Sequence, residues 1–570
     1  MFKKILSGLT IAGLLASFVL PQAQAATDEQ WVKTPPPTAE PSWGIAMSED
    51  TGAQAPYAEL ISAKSDDYKA DLGKVLAIKA CKSYKSDECP RDEYQRYTTP
   101  LGFCSADSQS NCVEEVIARS SDGKKLTVKF LRNFPDESKY DFAGDDDFNL
   151  PEGATTFLAE IPDAQHAGGT TYLIAAVLNG EKLPTDPKFR TSYFNAQIFA
   201  VSLVAGKFNV AEPGLDPNLY NGVRNVNRSG DMYCPIQCST AENAVGHALP
   251  LDISFGLRVR LKAEVNGWLN GRVSNIESSI SKDSQNRQIL ELLGKPVIVP
   301  VIFGWVAKSA APQKLLDFYA AMGPERANSG NGFGKCLDPN KAADATGPCR
   351  ALYWESALRN PGKDMDSLSE VALWLPILSD KAVAGPTMWL MSSLGQGFDN
   401  NCAATTDRVS GIVTTNATGY VSGPPVFNKE EQTLDYKVIG PHYLADGKEF
   451  KGTYDLTIDA DFARCLYGFS RAPIGATVSV ISSDGQAQVA TVVVSQRDKW
   501  IHLGAYGFGF SSPTLKVKFT QEAPTPTATS TPSAKPVPPK KTTITCVKGK
   551  TTKKVTAVKP KCPSGFKVKK

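Results

Sequence analysis

Between residues 253 and 262 the side chains alternate: Phe255, Leu257, Val259 and Leu261 take one set of positions, and Arg258, Arg260 and Lys262 the other. Successive side chains of a strand point to opposite faces, so the alternation predicts a strand with one face in a core and one in water. Leu515, Val517 and Phe519, interleaved with Lys516 and Lys518, predict a second such strand. The runs 113–119 and 125–131 flank Asp122-Gly123, and the runs 476–481 and 489–495 flank Asp484-Gly485. Both residues of such a pair tolerate positive φ, so each pair of runs is read as a hairpin. The apolar runs 170–178 and 197–204 have strand length, and 297–307, interrupted by Pro300 and Gly304, reads as a buried strand.

Helix is the minority. Leu315, Leu316, Tyr319 and Met322 share one face of a helix over 312–322, and Gly323-Pro324 stops it. Ser367 and Glu370 have the spacing of a capping box, although 371–378 fits a strand equally well. Strands about every dozen residues without regular helix alternation define an all-β class, with several β-sandwich-like domains and few short helices.

The chain begins with Lys3 and Lys4, an apolar run over 5–20, Pro21 and the small-x-small site Ala23-Gln24-Ala25. Those are the parts of a cleaved secretory signal, and the run is shorter than the ~20 apolar residues of a spanning helix. Residues 1–25 are therefore expected to be a signal peptide, with an extracellular or cell-surface mature protein and no later transmembrane segment. The expected divisions are 26–135, an N-terminal β region; 136–308, a β-sandwich-like domain; 309–400, a mixed connecting region; and 401–521, a C-terminal β-sandwich-like domain. A Pro/Thr-rich linker at 522–541 and a basic tail at 542–570 follow.

The 12 cysteines all follow the signal. An even count in an exported chain predicts a disulfide framework, and closure of near neighbours gives Cys81–Cys89, Cys104–Cys112, Cys234–Cys238, Cys336–Cys349, Cys402–Cys465 and Cys546–Cys562. Cys234 and Cys238 have His247 downstream but no second ligand pair at zinc-finger spacing, so no metal is expected there.

Charge divides the chain. Residues 535–570 hold 12 lysines and no acid; taking these and the +2 of the signal from the formal +3 leaves −11 for residues 26–534. Proline, threonine and serine without apolar mass make 522–541 an extended spacer, at ~3.1 Å per residue. Ile544, Val547, Val555 and Val558 are too few for a core, but a Cys546–Cys562 bridge contributes on the order of 3 kcal/mol, giving a stapled hairpin with lysines around it. Lys548, Lys550, Lys553, Lys554, Lys559 and Lys561 are the expected contacts to anionic cell-wall polymers or extracellular glycans. Nucleic acid is disfavoured by the absence of arginine and of any aromatic partner besides Phe566 in the tail.

Three stretches carry a resemblance. Gly411-Ile-Val-Thr-Thr-Asn-Ala-Thr418 is followed by Gly423-Pro-Pro425; Phe450-Lys-Gly-Thr-Tyr-Asp-Leu456 leads through Ala463-Arg-Cys-Leu-Tyr467 to residues 507–518; and the tail runs from Thr543 to Pro563 around its two cysteines. Together they resemble a group of exported actinobacterial proteins of uncharacterised function, in which the tail is a module attached to various exported proteins. The resemblance implies a Gram-positive-type envelope and supplies no catalytic residue.

Chemistry is sparse. The chain has no Gly-x-Ser-x-Gly elbow, His-Glu-x-x-His site or phosphate loop. Its four histidines, His166, His247, His442 and His502, have no nucleophile signature beside them, and His502 reads as a strand residue on a polar face. The acids at 145–147 read as a solvated loop. Asp455, Asp459 and Asp461, at alternate positions of an expected strand, read as a wet face. Trp268, in Gly267-Trp-Leu-Asn-Gly-Arg272, is a candidate for stacking on a sugar or partner with Arg272 beside it, against the alternative of a core tryptophan. The expectation is a non-enzymatic binding or scaffolding protein of the surface or matrix, without cofactor, held at the envelope by its tail. The alternative is a secreted hydrolase acting on polysaccharide or peptide, which a cleft holding a Ser/His pair would favour.

Overall fold

A computed structural model describes residues 42–47, 49, 58–63, 79–87, 89–135, 142–206, 236–239, 241–321, 365–394, 402, 409–421, 424–468, 474–481, 491–497, 499–510, 514–521 and 541–569. The expected signal at 1–25 and nearly all of the spacer lie outside these residues. Among those described the protein is all-β, with several sheets and three α-helices: Gln313–Ala321, Met365–Trp374 and Ala460–Tyr467.

The chain divides into two compact units, a body of residues 1–471 and 475–520 and a tail unit of 472–474 and 521–570. The boundaries expected within the body do not mark separate bodies, because ladders cross them. Cys112–Arg119 pairs with Ser254–Leu261, across 135/136. Gly267–Lys282 pairs with Leu390–Leu394 on one side and Val409–Thr415 on the other, across 308/309 and 400/401.

Three long strands organise the body. Thr171–Lys182 and Arg190–Ala205 form an antiparallel pair whose alternate positions, such as Ile174, Ala176, Leu178, Ala196 and Ile198, enter the main core. Gly267–Lys282 carries two ladders in turn. Its first part lies between Leu390–Leu394 and Val409–Thr415; from Val273 onward it pairs with Gln288–Ile298. The change occurs at a bulge between Ser274 and Glu277, where Asn275 has φ 51°. Asp455 Oδ2 accepts the Asn275 amide at 3.2 Å, so a buried carboxylate holds the bend. A bulge adds an unpaired residue and re-aims the strand, and its amide needs such an acceptor.

Ser42–Met47 pairs with Ile302–Ala307 to form a separate two-stranded sheet. Ile45, Met47 and Ile302 pack there with Leu315, Val371 and Trp374 from two of the helices. The expected strand at 297–307 is two strands, Gln288–Ile298 and Ile302–Ala307, divided around Pro300, which has no amide hydrogen for a ladder. Residues 365–374 take the helical alternative, and the expected helix at 312–322 is present as Gln313–Ala321.

Neither expected hairpin forms as read. Gly123 does turn with φ 83°, but only Arg119 and Lys125 bridge beyond it, and Lys129–Asn133 joins Phe157–Glu160 instead. That exposed edge is blunted by a register shift between Phe130 and Arg132 and by the pairs Lys129–Glu160 and Arg132–Glu242. Ile474–Ile481 and Thr491–Arg497 lie in different sheets. Each pairs elsewhere, which a turn signal alone does not reveal, and Asp484-Gly485 lies outside the described residues.

The alternation over 253–262 is borne out for Phe255, Leu257, Val259 and Leu261, all buried, while Arg258 stays half-exposed. Arg260 departs from it. The loop closed by Cys104–Cys112 lies over this side chain, whose Nη1 donates to the carbonyls of Ala106, Asp107 and Gln109 at 3.3, 3.0 and 3.2 Å. Its Nη2 meets Glu114 at 2.6 Å. Leu515 and Val517 are buried, Lys516 is half-exposed and Lys518 is exposed, as the second alternation predicts.

Asp455 and Asp459 are fully buried, contrary to a wet face. The strand Gly452–Asp459 ends at Asp459, whose Oδ1 accepts the amides of Asp461 and Phe462 at 2.9 and 3.0 Å and starts the helix Ala460–Tyr467. Gly468, at φ 67°, closes that helix in the left-handed conformation that glycine adopts without strain.

Candidate functional site

Arg190–Ala205 changes neighbour along its length. Asn195 to Gln197 pair with Leu390–Leu394, and Ala200 to Ala205 pair with Glu242–His247. Where those neighbours part, a cavity of about 930 Å³ opens, with Ile198, Ala200, Leu249, Met388 and Trp389 among its lining and His247 on its wall.

His247 Nε2 lies 2.8 Å from Ser202 Oγ, and its ring stacks on His166 with centroids 5.4 Å apart. His166 is buried. Its Nδ1 accepts the Gly168 amide at 3.1 Å, so the other nitrogen carries the proton and donates to the Thr171 carbonyl at 2.9 Å. Gly168 is what lets the turn approach the second ring, because a Cβ there would stand 2.2 Å from His247 Nε2. A serine hydroxyl beside an imidazole is the arrangement in which a base activates a nucleophile. Sequence reading missed the pair. Ser202 and His247 stand on neighbouring strands far apart in the chain, and no local motif marks either.

The other two histidines are tied to carboxylates. His442 Nδ1 bonds Asp380 Oδ2, while its amide donates to Asp380 Oδ1 at 3.0 Å. His502 Nε2 lies 2.9 Å from Asp455 Oδ1, which also accepts the Tyr506 hydroxyl. Burial first, and the Asp455 charge second, raise the Tyr506 hydroxyl above the usual tyrosine range, so it remains a donor. Gly504 leaves room for that reach, since a Cβ there would meet Tyr506 Oη at 2.4 Å. Asp455 thus meets three groups from two other strands and serves the fold.

Trp268 and Arg272 both lie inside, which removes the stacking surface expected of them. Trp268 is 1% exposed; it packs on Gly411, where a Cβ would come within 2.3 Å of the ring, and stands edge-on to Phe462 at 5.7 Å. Arg272, also 1% exposed, pairs with Glu49 through Nε at 2.6 Å and Nη2 at 2.5 Å. Its Nη1 donates to the carbonyls of Thr415 and Ala417 at 3.1 and 2.6 Å, and its guanidinium covers the Tyr420 ring at 4.3 Å. Every side of the group faces protein.

Four expected disulfides are present: Cys81–Cys89, Cys104–Cys112, Cys402–Cys465 and Cys546–Cys562. Cys234, Cys336 and Cys349, of the two remaining pairs, lie outside the described residues. Four bridges mark a protein of an oxidising environment. Among the described residues no three His, Cys, Asp or Glu side chains converge as a metal site, and no helix is long and apolar enough to cross a membrane.

In the tail unit Thr542–Lys548 pairs with Thr551–Ala557 through a turn at Gly549, and Lys567–Val568 adds to the first strand's other edge. Among its described residues, Cys546 is the one fully buried side chain. Lys548, Lys550, Lys553, Lys554, Lys559 and Lys561 are all exposed, as are Lys541, Lys567 and Lys569. Residues 541–569 contain no acid to pair with them. Lys553 Nζ lies 5.9 Å from the centre of the Phe566 ring.

Fold and crosslinks define the class: a disulfide-bonded, all-β protein with a stapled basic knob. A comparison with protein-family models, curated proteins and solved structures finds no match.

Proposed function

We propose that this is an exported surface or matrix protein, of the actinobacterial kind its sequence resembles, in which the β body binds or scaffolds and the tail holds it to anionic envelope polymers. The observation that carries this reading is the set of nine exposed lysines at residues 541–569, without one acidic residue among them. A lysine ammonium is a hydrated point charge on a flexible stem, suited to diffuse polyanions rather than to one shaped ligand. The disulfide and the short sheet hold these charges together on a small body. Residues 26–534 sum to −11, so the net positive charge that such polymers would meet is concentrated in the tail.

Retention on isolated cell walls is the test. Full-length protein is expected to be retained at low salt and released as salt rises, because attraction between exposed charges is screened over ~8 Å at physiological ionic strength. A form ending at Gln521 is expected to wash off at both. Equal retention of the two forms, or binding indifferent to salt, overturns the reading.

A second reading, a secreted hydrolase, is favoured by Ser202 and His247 at 2.8 Å beside the cavity. A fluorophosphonate probe is expected to label Ser202 if the pair is catalytic, with labelling lost in Ser202→Ala and His247→Ala. An unlabelled wild-type protein removes this reading and leaves the first intact.

A further inference from the structure

The cavity beside His247 has an uneven chemistry from floor to rim. Phe199, Ile298, Pro386 and Leu444 line it half-buried, whereas Ile198, Ala200, Leu249, Met388 and Trp389 behind the same wall are already covered by protein, so the surface it offers a ligand is largely apolar. Several polar groups there are engaged with the protein itself. Thr387 Oγ1 accepts the Leu249 amide at 2.5 Å, Trp389 Nε1 donates to the Phe255 carbonyl at 2.8 Å, and Gln197 Nε2 donates to Asn195 at 3.2 Å. His247 Nε2 is taken by Ser202. At the rim stand Leu251, 43% exposed, exposed Asp252, and the Asp446–Lys448 pair at 2.6 Å.

We infer that the cavity binds an acyl chain, apolar end inward and polar head at the rim. The apolar part of the wall selects against sugars and peptides: their hydroxyls and amides would lie against Phe199, Ile298, Pro386 and Leu444, whose side chains offer no hydrogen-bond partner, and an unpaired buried polar group costs ~1–3 kcal/mol. A hydrocarbon chain has no such groups to satisfy. It gains the burial of its own surface and of the half-exposed apolar wall, at about 0.8 kcal/mol for each methylene buried. The volume of about 930 Å³ lies within the range of sites that enclose a small ligand. Leu251, apolar and exposed at the mouth, covers the part of the chain that emerges, while the charged rim keeps a polar head in water. This site is separate from the lysine tail, and its failure would leave tail attachment untouched.

The probe is 12-bromododecanoate added to the full-length protein, with tryptophan fluorescence as the readout. A bromine on the chain's end quenches an indole a short distance away, and Trp389 stands in the cavity wall, so saturable quenching is expected, and it is expected to fall in Trp389→Phe. Leu251→Glu, at an exposed position where folding is not at stake, is expected to weaken binding about tenfold, the loss of one partly buried leucine contact. Two sources of the chain are distinguished by neutral phosphatidylcholine vesicles, which do not engage the lysines electrostatically. Co-sedimentation that free dodecanoate competes away identifies a membrane lipid, and binding of dodecanoate without co-sedimentation identifies a free fatty acid; either supports the site. Absence of saturable quenching, or quenching unchanged in both Trp389→Phe and Leu251→Glu, overturns it.

Discussion

Arg272→Ala is expected to lower folding stability by about 3–5 kcal/mol, measured by urea unfolding, the cost of breaking a buried ion pair from one side. The substitution leaves the Glu49 carboxylate, 11% exposed, without the guanidinium that meets it at 2.5 Å. It also removes the donor to the carbonyls of Thr415 and Ala417 and the cation over the Tyr420 ring. Because much of that cost comes from the stranded carboxylate, Arg272→Met combined with Glu49→Gln should recover part of it. A loss below about 1 kcal/mol for Arg272→Ala would return the residue to the solvent-facing role its sequence context suggested.

The second large effect is a dependence on pH at Glu59. This residue begins the strand Glu59–Ala63, opposite Thr98. Burial raises its carboxyl to about 7, with Arg96 acting in the lowering direction. The native state therefore holds a proton that the unfolded chain releases near pH 4.5. Stability from this group is fully present below about 4.5 and is lost as pH rises through about 7. Glu59→Gln should match the wild type near pH 4 and exceed it at pH 8, by up to about 3 kcal/mol for a shift of this size. Melting curves of the two forms at both pH values decide the matter; an equal difference at each would mean that Glu59 does not titrate this way.

Local rules read the strands well where one strand's own alternation carried the information. Phe255, Leu257, Val259 and Leu261 face the core because a period of two admits only two faces, and burial chooses the apolar one. Helix ends were readable in principle at Asp459 and Gly468, an N-cap acid and a left-handed glycine eight residues of helix apart. The neighbouring acids at 455 and 461 masked them by completing an even spacing.

The candidate site was not readable at all. His247 carries no marker of its partner, and Ser202 reaches it only because Glu242–His247 lies beside Arg190–Ala205 in one particular register. Trp268 and Arg272 show the converse. A glycine-flanked tryptophan with an arginine after it suits a surface turn, yet Gly267–Lys282 runs between two strands and both side chains are enclosed. Whether an arginine is wet depends on what long-range pairing brings against it, here Glu49 and the carbonyls of residues 415 and 417.

Composition and short-range spacing by themselves determined the all-β class, the disulfides Cys81–Cys89, Cys104–Cys112 and Cys546–Cys562 and the separateness of a lysine knob too small to hold a core. Each depends on residues close together in the chain, where geometry leaves few choices. Tertiary structure alone decided that the body is one unit, that Asp455 and Arg272 lie buried within it, and that a cavity with a Ser–His pair opens where one strand exchanges neighbours. Those outcomes rest on which strand pairs with which. Strand pairing is specified by the fit of distant side chains, not by any signal carried in one segment.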